Sequence, residues 1–392
     1  MARCPVFHGI PIPLYDALFC MEEKEGERMC MRILLLPVSL LFICLSLGGC
    51  GFKDLDKRFF VVAMGMDWTG KKENPYLVTL RLAIPASKVG EGMAESQIEH
   101  LEAKSIAEAV RNIKAHVDKE LDFGHCRVFL FGDSLVRESM EEPLNWLARR
   151  RDIQLISYMA LAEPNANKLL KANPSTERLA GNSFFLTFGK EGTVSPYTVT
   201  AHLFDNFRRF KEKGLDPYLP IVSFDGDSYV VEKLSLLNKT KEQLRLSPME
   251  TILYNMTANE FSRSGIPIDY EGKRLAFYVS RISKHVSITN DEIPTVVYSL
   301  KMNGMIEQSP IKVLNSNLRE VQKRLETTVN KTAEELLYKI RDANVDPYGF
   351  GLHYLSQYFG QEDDWEHWQS VYSSVKFQVK TQIVIESTGL VR

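Results

Sequence analysis

The stretch RILLLPVSLLFICLSLGGCGFKDLDKRFFVVAMGMD, residues 32–67, holds two apolar runs of different kinds. The first, Ile33 to Leu47, is continuous, follows a basic Arg32 and ends at Gly48 and Gly49. At about fifteen residues it falls short of the roughly 20 that a membrane-spanning helix requires. A basic start, an apolar middle and small residues at the end are the order of a secretory signal. The second run, Phe59 to Met66, leads through the polar turn TGKKENP into Tyr76, Val78, Leu80, Leu82 and Ile84. That alternation predicts a β-hairpin. The folded part of the chain is therefore expected to begin a few residues after Cys50.

Working outward, residues 86–100 are polar and glycine-bearing and read as a loop. Ile106, Val110, Ile113, Val117 and Leu121 recur at helical spacing and predict one amphipathic helix. CRVFLFG reads as a short buried strand, Leu135 to Arg150 as a helix, IQLISYMALA as a strand and Asn165 to Ala172 as a short helix. Residues 175–222, with GKEGT, DPYLP and SFDGDSY, read as a less regular connector. Further strands are expected in SYVVEKLSLL, RLAFYVSRISKHVSIT and TVVYSLKMNGMIE. Beyond them, Leu318, Val321, Leu325, Val329, Ala333, Leu336, Leu337 and Ile340 mark one stripe of a long helix, broken at DPYGFG. A short aromatic helix in DDWEHWQSVY and a closing strand in SVKFQVKTQIVIESTG complete an α+β (mixed α/β) pattern. After the leader 1–49, the expected segments are residues 50–175, 176–280 and 281–392.

The 392 residues carry a formal charge of -2, which gives no reason to expect nucleic acid as a partner. The triplet Arg149-Arg150-Arg151 is the densest basic spot and reads as a solvated helix end. Of six cysteines, four precede Cys50, so a chain cut before Cys50 keeps only Cys50 and Cys126. Neither a disulfide framework nor a metal set can be built from two. Leu47-Gly48-Gly49-Cys50 resembles a bacterial lipobox. In that reading the bond between Gly49 and Cys50 is cut, and the Cys50 thiol carries a diacylglycerol. Two acyl chains are enough for stable anchoring, where one is marginal.

Catalytic constellations are missing from the sequence. There is no G-x-S-x-G, H-E-x-x-H, C-x-x-C or Walker loop. Asp225-Gly226-Asp227 lacks the later ligands of a calcium loop. His125 and Cys126 are neighbours, and on a strand neighbours point to opposite faces, so they are not expected to form a nucleophile and base. Trp365 and Trp368, preceded by Asp363 and Asp364, could form a partner-binding patch or a local core, and the core reading is preferred. No cofactor, no metal and no catalysis is expected.

Three stretches together resemble the Ger(x)C family, the lipoprotein C subunits of nutrient germinant receptors. They are GCGFKDLDKRFFVVAMGMD, then DFGHCRVFLFG with the helix and strand that follow it, and DPYGFG with the aromatic segment and closing strand. They run in order from Cys50 to Gly389, though the tryptophan of the family's GCWD-like start is missing from Gly51-Phe52-Lys53-Asp54. The resemblance implies a three-domain mixed α/β protein, with the segments 50–175, 176–280 and 281–392 as its mixed sheet-and-helix domains, on the outer face of the spore inner membrane, beside integral membrane A and B subunits. It carries over one residue with a defined role, Cys50, as the lipid site. Gly65, Asp67, Gly124, His125, Asp346, Gly349 and Gly351 match patterned positions, with turn geometry and packing as the implied role. Whether a small-molecule germinant contacts this subunit stays open. The rival readings are a solute-binding-type lipoprotein that captures a small molecule between lobes, and an envelope hydrolase.

The acidic residues Asp16, Glu22, Glu23, Glu25 and Glu27 make residues 1–28 a poor leader, so translation is expected to start at Met29 or Met31. Peptide mapping of a cleavage-blocked precursor checks this: no peptide from residues 1–20 should be found, and finding one refutes the later start.

Overall fold

The computed structural model describes residues 57–83, 96–175, 180–189, 194–310, 313, 316–358 and 364–388. Gly49 and Cys50, like the leader before them, lie outside these residues, as do Ile84, Asp363 and Gly389. The architecture is mixed α/β, with two sheets and ten α-helices among the described residues.

Strands β1 (Arg58–Trp68) and β2 (Tyr76–Ala83) form the expected hairpin, with Met66 opposite Val78 and Met64 opposite Leu80. The expected loop 86–100 is partly a strand: β3 (Ser96–Ala103) pairs antiparallel with β2. It is an edge strand with few buried side chains, so SQIEHLEA has little apolar alternation to betray it. Helix α1 (Ile106–Ile113), capped by the Ser105 hydroxyl on the Glu108 amide, ends earlier than its apolar spacing implies. Leu121 enters the same core from a short strand, β4 (Glu120–Asp122), laid parallel to the start of β1.

Beyond β5 (Val128–Gly132), the single helix expected over Leu135–Arg150 is two: α2 (Asp133–Glu138) and α3 (Glu141–Ala148). Ser139 between them is extended. In a continuous helix Pro143 would face the Ser139 carbonyl with no N–H to give and with its ring against it. Strand β6 (Tyr158–Ala162) and α4 (Ala166–Lys171) follow. The expected connector at 175–222 holds two helices, α5 (Ala180–Phe188) and α6 (Leu203–Lys211), and a strand, β7 (Tyr218–Phe224). Pro220 disguises β7, which lies between β6 and β8 (Tyr229–Leu237) rather than at an edge. With β9 (Glu242–Leu246) the first sheet runs β3-β2-β1-β5-β6-β7-β8-β9, and β4 extends the β1 ladder. β1, β5, β6 and β7 are parallel, and their side chains are buried on both faces. Phe129 and Phe131 enter one core and Val128 and Leu130 the other.

A capping box of Ser247 and Glu250 opens α7 (Pro248–Asn259). The second sheet runs β10 (Ser264–Tyr270), β11 (Lys273–Ile288), β12 (Thr295–Gln308) and β13 (Lys376–Ser387). Against one face lie the long helix α8 (Leu318–Asp342) and the short helices α9 (Phe350–Gln357) and α10 (Asp364–Val371). The expected stripe from Val321 to Ile340 is buried. An open strand edge invites pairing with another chain. Here α8 covers the free edge of β13: Glu334 and Glu326 accept the Val379 and Ile383 amides at 2.8 and 3.0 Å, and Tyr338 accepts that of Phe377 at 3.2 Å.

Helix α4 shows how the first sheet fixes its neighbours. With six residues it is too short to persist alone. Asp67, at the end of β1, accepts the Ala166 and Asn167 amides at 2.7 and 2.8 Å, and Arg81 of β2 donates to the Leu170 and Ala172 carbonyls at 2.7 and 3.0 Å. A buried anion at the N-terminus and a buried cation at the C-terminus both match the helix dipole. Glycine is required at two contacts. A Cβ at Gly65 would meet the Ala166 Cβ at 2.8 Å, and one at Gly132 would lie 1.9 Å from Asp67 Oδ1. Burial pushes the Asp67 carboxyl up, and the two amides pull it back. Asp67→Ala, which leaves both amides buried without an acceptor, is expected to cost about 2–4 kcal/mol in urea unfolding, with Asp67→Asn recovering part of it. Equal stability of Asp67→Ala and wild type would show that the clamp contributes nothing.

Candidate functional site

The sequence contains Asp-Pro-Tyr twice, at 216–218 and 346–348, and the fold sets the two turns against each other. The Asp216 amide donates to the Asp346 carbonyl at 2.8 Å, and the Asp346 amide donates to Asp216 Oδ2 at 2.7 Å. The Asp346 carboxylate then binds the entry of α9: Oδ1 accepts the Gly349 and Phe350 amides at 2.8 and 3.0 Å, and Oδ2 accepts that of Gly351 at 2.7 Å. The next amide, Leu352, donates to the Gly214 carbonyl at 2.9 Å. The amides of the first helical turn are thus satisfied without water.

Three glycines make the approach close enough. Gly214 and Gly349 have φ of +72° and +78°, and a Cβ on Gly214 would sit 2.4 Å from the backbone of Gly351 and Leu352. A Cβ on Gly351 would come within 2.6 Å of Trp368 Nε1. Two cations brace the junction. Arg209 of α6 donates to the Asp216 and Pro347 carbonyls, both at 3.1 Å, and pairs with Asp205 at 2.7 Å. Lys239 donates to the carbonyls of Arg209, Glu212 and Leu215 at 2.5–2.7 Å and pairs with Asp216 at 3.1 Å. Burial, aided by Asp216, pushes the Asp346 carboxyl up to about 7, against the pull of its three amides.

This junction is one wall of a cleft of about 680 Å³. Arg209, Lys284, His285, Tyr348, His353 and Glu260 are among its lining. Lys284 donates to the Ala258 carbonyl at the end of α7, and burial pushes its ammonium down. His353 Nε2 lies 3.0 Å from the Val286 carbonyl, and Tyr348 shares a 2.8 Å hydrogen bond with Thr257. The lining is mixed aromatic and cationic, able to bind a small polar molecule, with its cations already engaged by the protein.

The residues singled out in the sequence fall in separate places. His125 is exposed and packs on the Phe60 ring at 4.8 Å, while Cys126 is buried, bonded to the Val128 carbonyl at 3.6 Å, its thiol pushed up by burial. They form no dyad. Asp225 accepts the amides of Asp227 and Ser228 in an exposed turn. Trp368 is buried, stacked on Tyr354 at 4.9 Å, with Trp365 against the same core. Among the described residues no cluster of three His, Cys, Asp or Glu side chains could hold a metal ion. Sequence reasoning missed Arg81, Arg209, Gly214 and Lys239. The repeated Asp-Pro-Tyr was a visible signal, but its meaning depends on a contact across 130 residues.

Two family profiles together cover most of the chain. "Spore germination protein N-terminal domain" matches residues 51–224, and "Spore germination B3/ GerAC like, C-terminal" matches residues 232–389. The chain belongs to the Ger(x)C family. It is therefore a member of the germinant-receptor C-subunit family. Similar proteins include the spore germination protein GerQC of Bacillus cereus, 20% identical over 317 residues, covering 79% of this chain and 87% of that one. The putative spore germination protein YfkR of Bacillus subtilis (strain 168) is 20% identical over 375 residues, covering 89% and 95%. The crystal structure of the GerBC protein superposes with a TM-score of 0.57 at 15% identity, over 83% of this chain and 97% of that one, which establishes a shared fold.

In this Ger(x)C protein the patterned Gly65, Asp67, Asp346, Gly349 and Gly351 all sit at the two helix entries fixed by a buried carboxylate. The carboxyl of Asp346 binds its proton more tightly folded, at about 7, than unfolded, near 3.8. Its contribution to stability is then full below pH 4 and is lost as pH rises toward 7. Chemical unfolding between pH 4 and 8 should show a decline of a few kcal/mol that Asp346→Asn lacks. Parallel pH profiles for the two proteins would show that the carboxyl titrates normally.

Proposed function

We propose that this chain is a lipid-anchored C subunit of a nutrient germinant receptor, held to the outer face of the spore inner membrane by diacylglycerol on Cys50 and assembled with integral A and B subunits. The carrying observation is that the family match begins at residue 51, immediately after the lipobox-like Leu47-Gly48-Gly49-Cys50, and runs to residue 389. An anchored chain needs no span of its own, and no helix among the described residues is long and apolar enough to cross a membrane. The role is assembly rather than catalysis. That reading is supported by the separation of His125 from Cys126 and by clefts lined with residues already bonded to the protein.

A second reading, capture of a small molecule as in solute-binding lipoproteins, draws on the cleft beside Asp346. Native pull-down of a tagged copy from detergent-solubilised spore inner membrane separates the two. Polytopic receptor subunits should co-purify with wild type and be depleted with Cys50→Ala. Recovery alone, or with transport permeases, would overturn the receptor reading and favour solute capture.

A further inference from the structure

Three large apolar side chains stand exposed together at one end of the first sheet: Leu155, Ile156 and Phe204, at 53%, 57% and 50% of their surface. They belong to one bonded assembly. The Phe204 amide donates to the Leu155 carbonyl at 2.9 Å, and His202 Nδ1 lies 3.0 Å from the Ile156 carbonyl with its ring stacked on Phe204. This assembly precedes β6 and therefore sits at the end of the sheet where the parallel strands begin. From there, contacts lead to the start of β1. Gln154 Nε2 donates to the Gly124 carbonyl at 2.6 Å, and the neighbouring His125 packs on Phe60.

The charge around the patch is basic although the chain's net charge is -2. Arg127, Arg149 and Arg151 are exposed and make no ion pair with a described residue. The nearby carboxylates are already matched: Asp152 by Arg150, Asp205 by Arg208 and Arg209, and Asp122 by Arg58. Arg127 reaches Gln154, next to Leu155, at 3.5 Å, and Arg149 and Arg151 precede the patch by a few residues of chain. Exposed apolar side chains accompanied by exposed arginines without carboxylate partners have the chemistry of a surface that lies in the headgroup region of an anionic bilayer.

Chain length favours the same occupant. From Cys50 to Lys57 there are seven residues, which span at most about 25 Å fully extended. A lipid on Cys50 thus keeps the β1 start, and with it the patch, close to the membrane surface.

We propose that Leu155, Ile156 and Phe204, with Arg127, Arg149 and Arg151, form a membrane-docking face that seats this end of the protein on anionic phospholipid. The proposal rests on the lipid-anchor reading of Cys50. Docking at this face would fix the orientation of the protein on its tether, where a lipid alone leaves it free to swivel.

The test places an environment-sensitive thiol fluorophore at Ile156→Cys, Phe204→Cys or, as control, Met305→Cys, an exposed site on the second sheet. Cys126 is fully buried and does not compete for label. Full-length lipoprotein is reconstituted on phosphatidylcholine vesicles with or without phosphatidylglycerol. Blue-shifted emission and quenching by brominated lipid are expected at 156 and 204, but not at 305, and only with phosphatidylglycerol. Arg149→Glu with Arg151→Glu should abolish the shift, since each arginine near an anionic surface is worth about a factor of five in local partition. Equal emission at the three sites overturns the proposal, as does a shift that appears in native spore membrane and not in lipid vesicles, which would assign the patch to a protein partner. The mass of the N-terminal peptide reports separately whether Cys50 carries lipid, so the failure of the anchor and the failure of the face are distinguishable.

Discussion

A single residue, Asp346, ties the start of α9 to the loop that feeds β7 in the first sheet. Its oxygens take three amides at the start of α9, while its own backbone is locked to Asp216 on the loop that feeds β7. Moving it would leave several backbone donors buried without acceptors, each costing about 1–3 kcal/mol. The position of α9 follows from this contact, as does one wall of the large cleft. The stacking of Tyr348 on Phe350, at 5.3 Å, depends on the same turn. A chain of aromatic edges from Tyr218 through Tyr254 to Tyr348 and Tyr298 fills the space behind it.

Asp67 and Asp346 are two instances of one device. Each is a buried acid that replaces water at the entrance of a short helix, and each has glycine close by: Gly132 against the Asp67 carboxyl and Gly65 against Ala166, and Gly214 against the backbone of Gly351 and Leu352. They differ in where the partner comes from. Asp67 reaches across from a strand to a separate helix, so it ties layers together. Asp346 caps the helix that follows it in the chain, and the tie to the first sheet passes through its main chain and Asp216. In both, desolvation raises the carboxyl and amide donors oppose it.

Where side-chain pattern and burial coincide, the sequence was sufficient. The β1–β2 hairpin and the stripe of α8 are legible because one face of each is apolar and continuous. β3 was not, since an edge strand with half-exposed residues has no pattern to show. β9, α7 and β10 passed unnoticed between stronger signals, although Ser247 and Glu250 stand at the spacing of a capping box. β7 was hidden by Pro220, and the break between α2 and α3 by apolar residues that reach one core from two helices. The glycines and aspartates of the two helix entries were visible as a family pattern, but their partners, Arg81, Gly214 and Asp216, are distant in sequence. No local rule joins them.

The boundary between the two family profiles has a consequence for inheritance. It falls between residues 224 and 232, in the turn that joins β7 to β8, and those strands are paired along their length from Phe224–Tyr229 to Tyr218–Leu236. The two parts that the profiles separate are thus sewn together by one ladder inside one sheet. Either half alone would present a raw strand edge lined with apolar side chains, which is an aggregation surface. Exchange of one half alone would have to preserve the pairing along the β7–β8 seam.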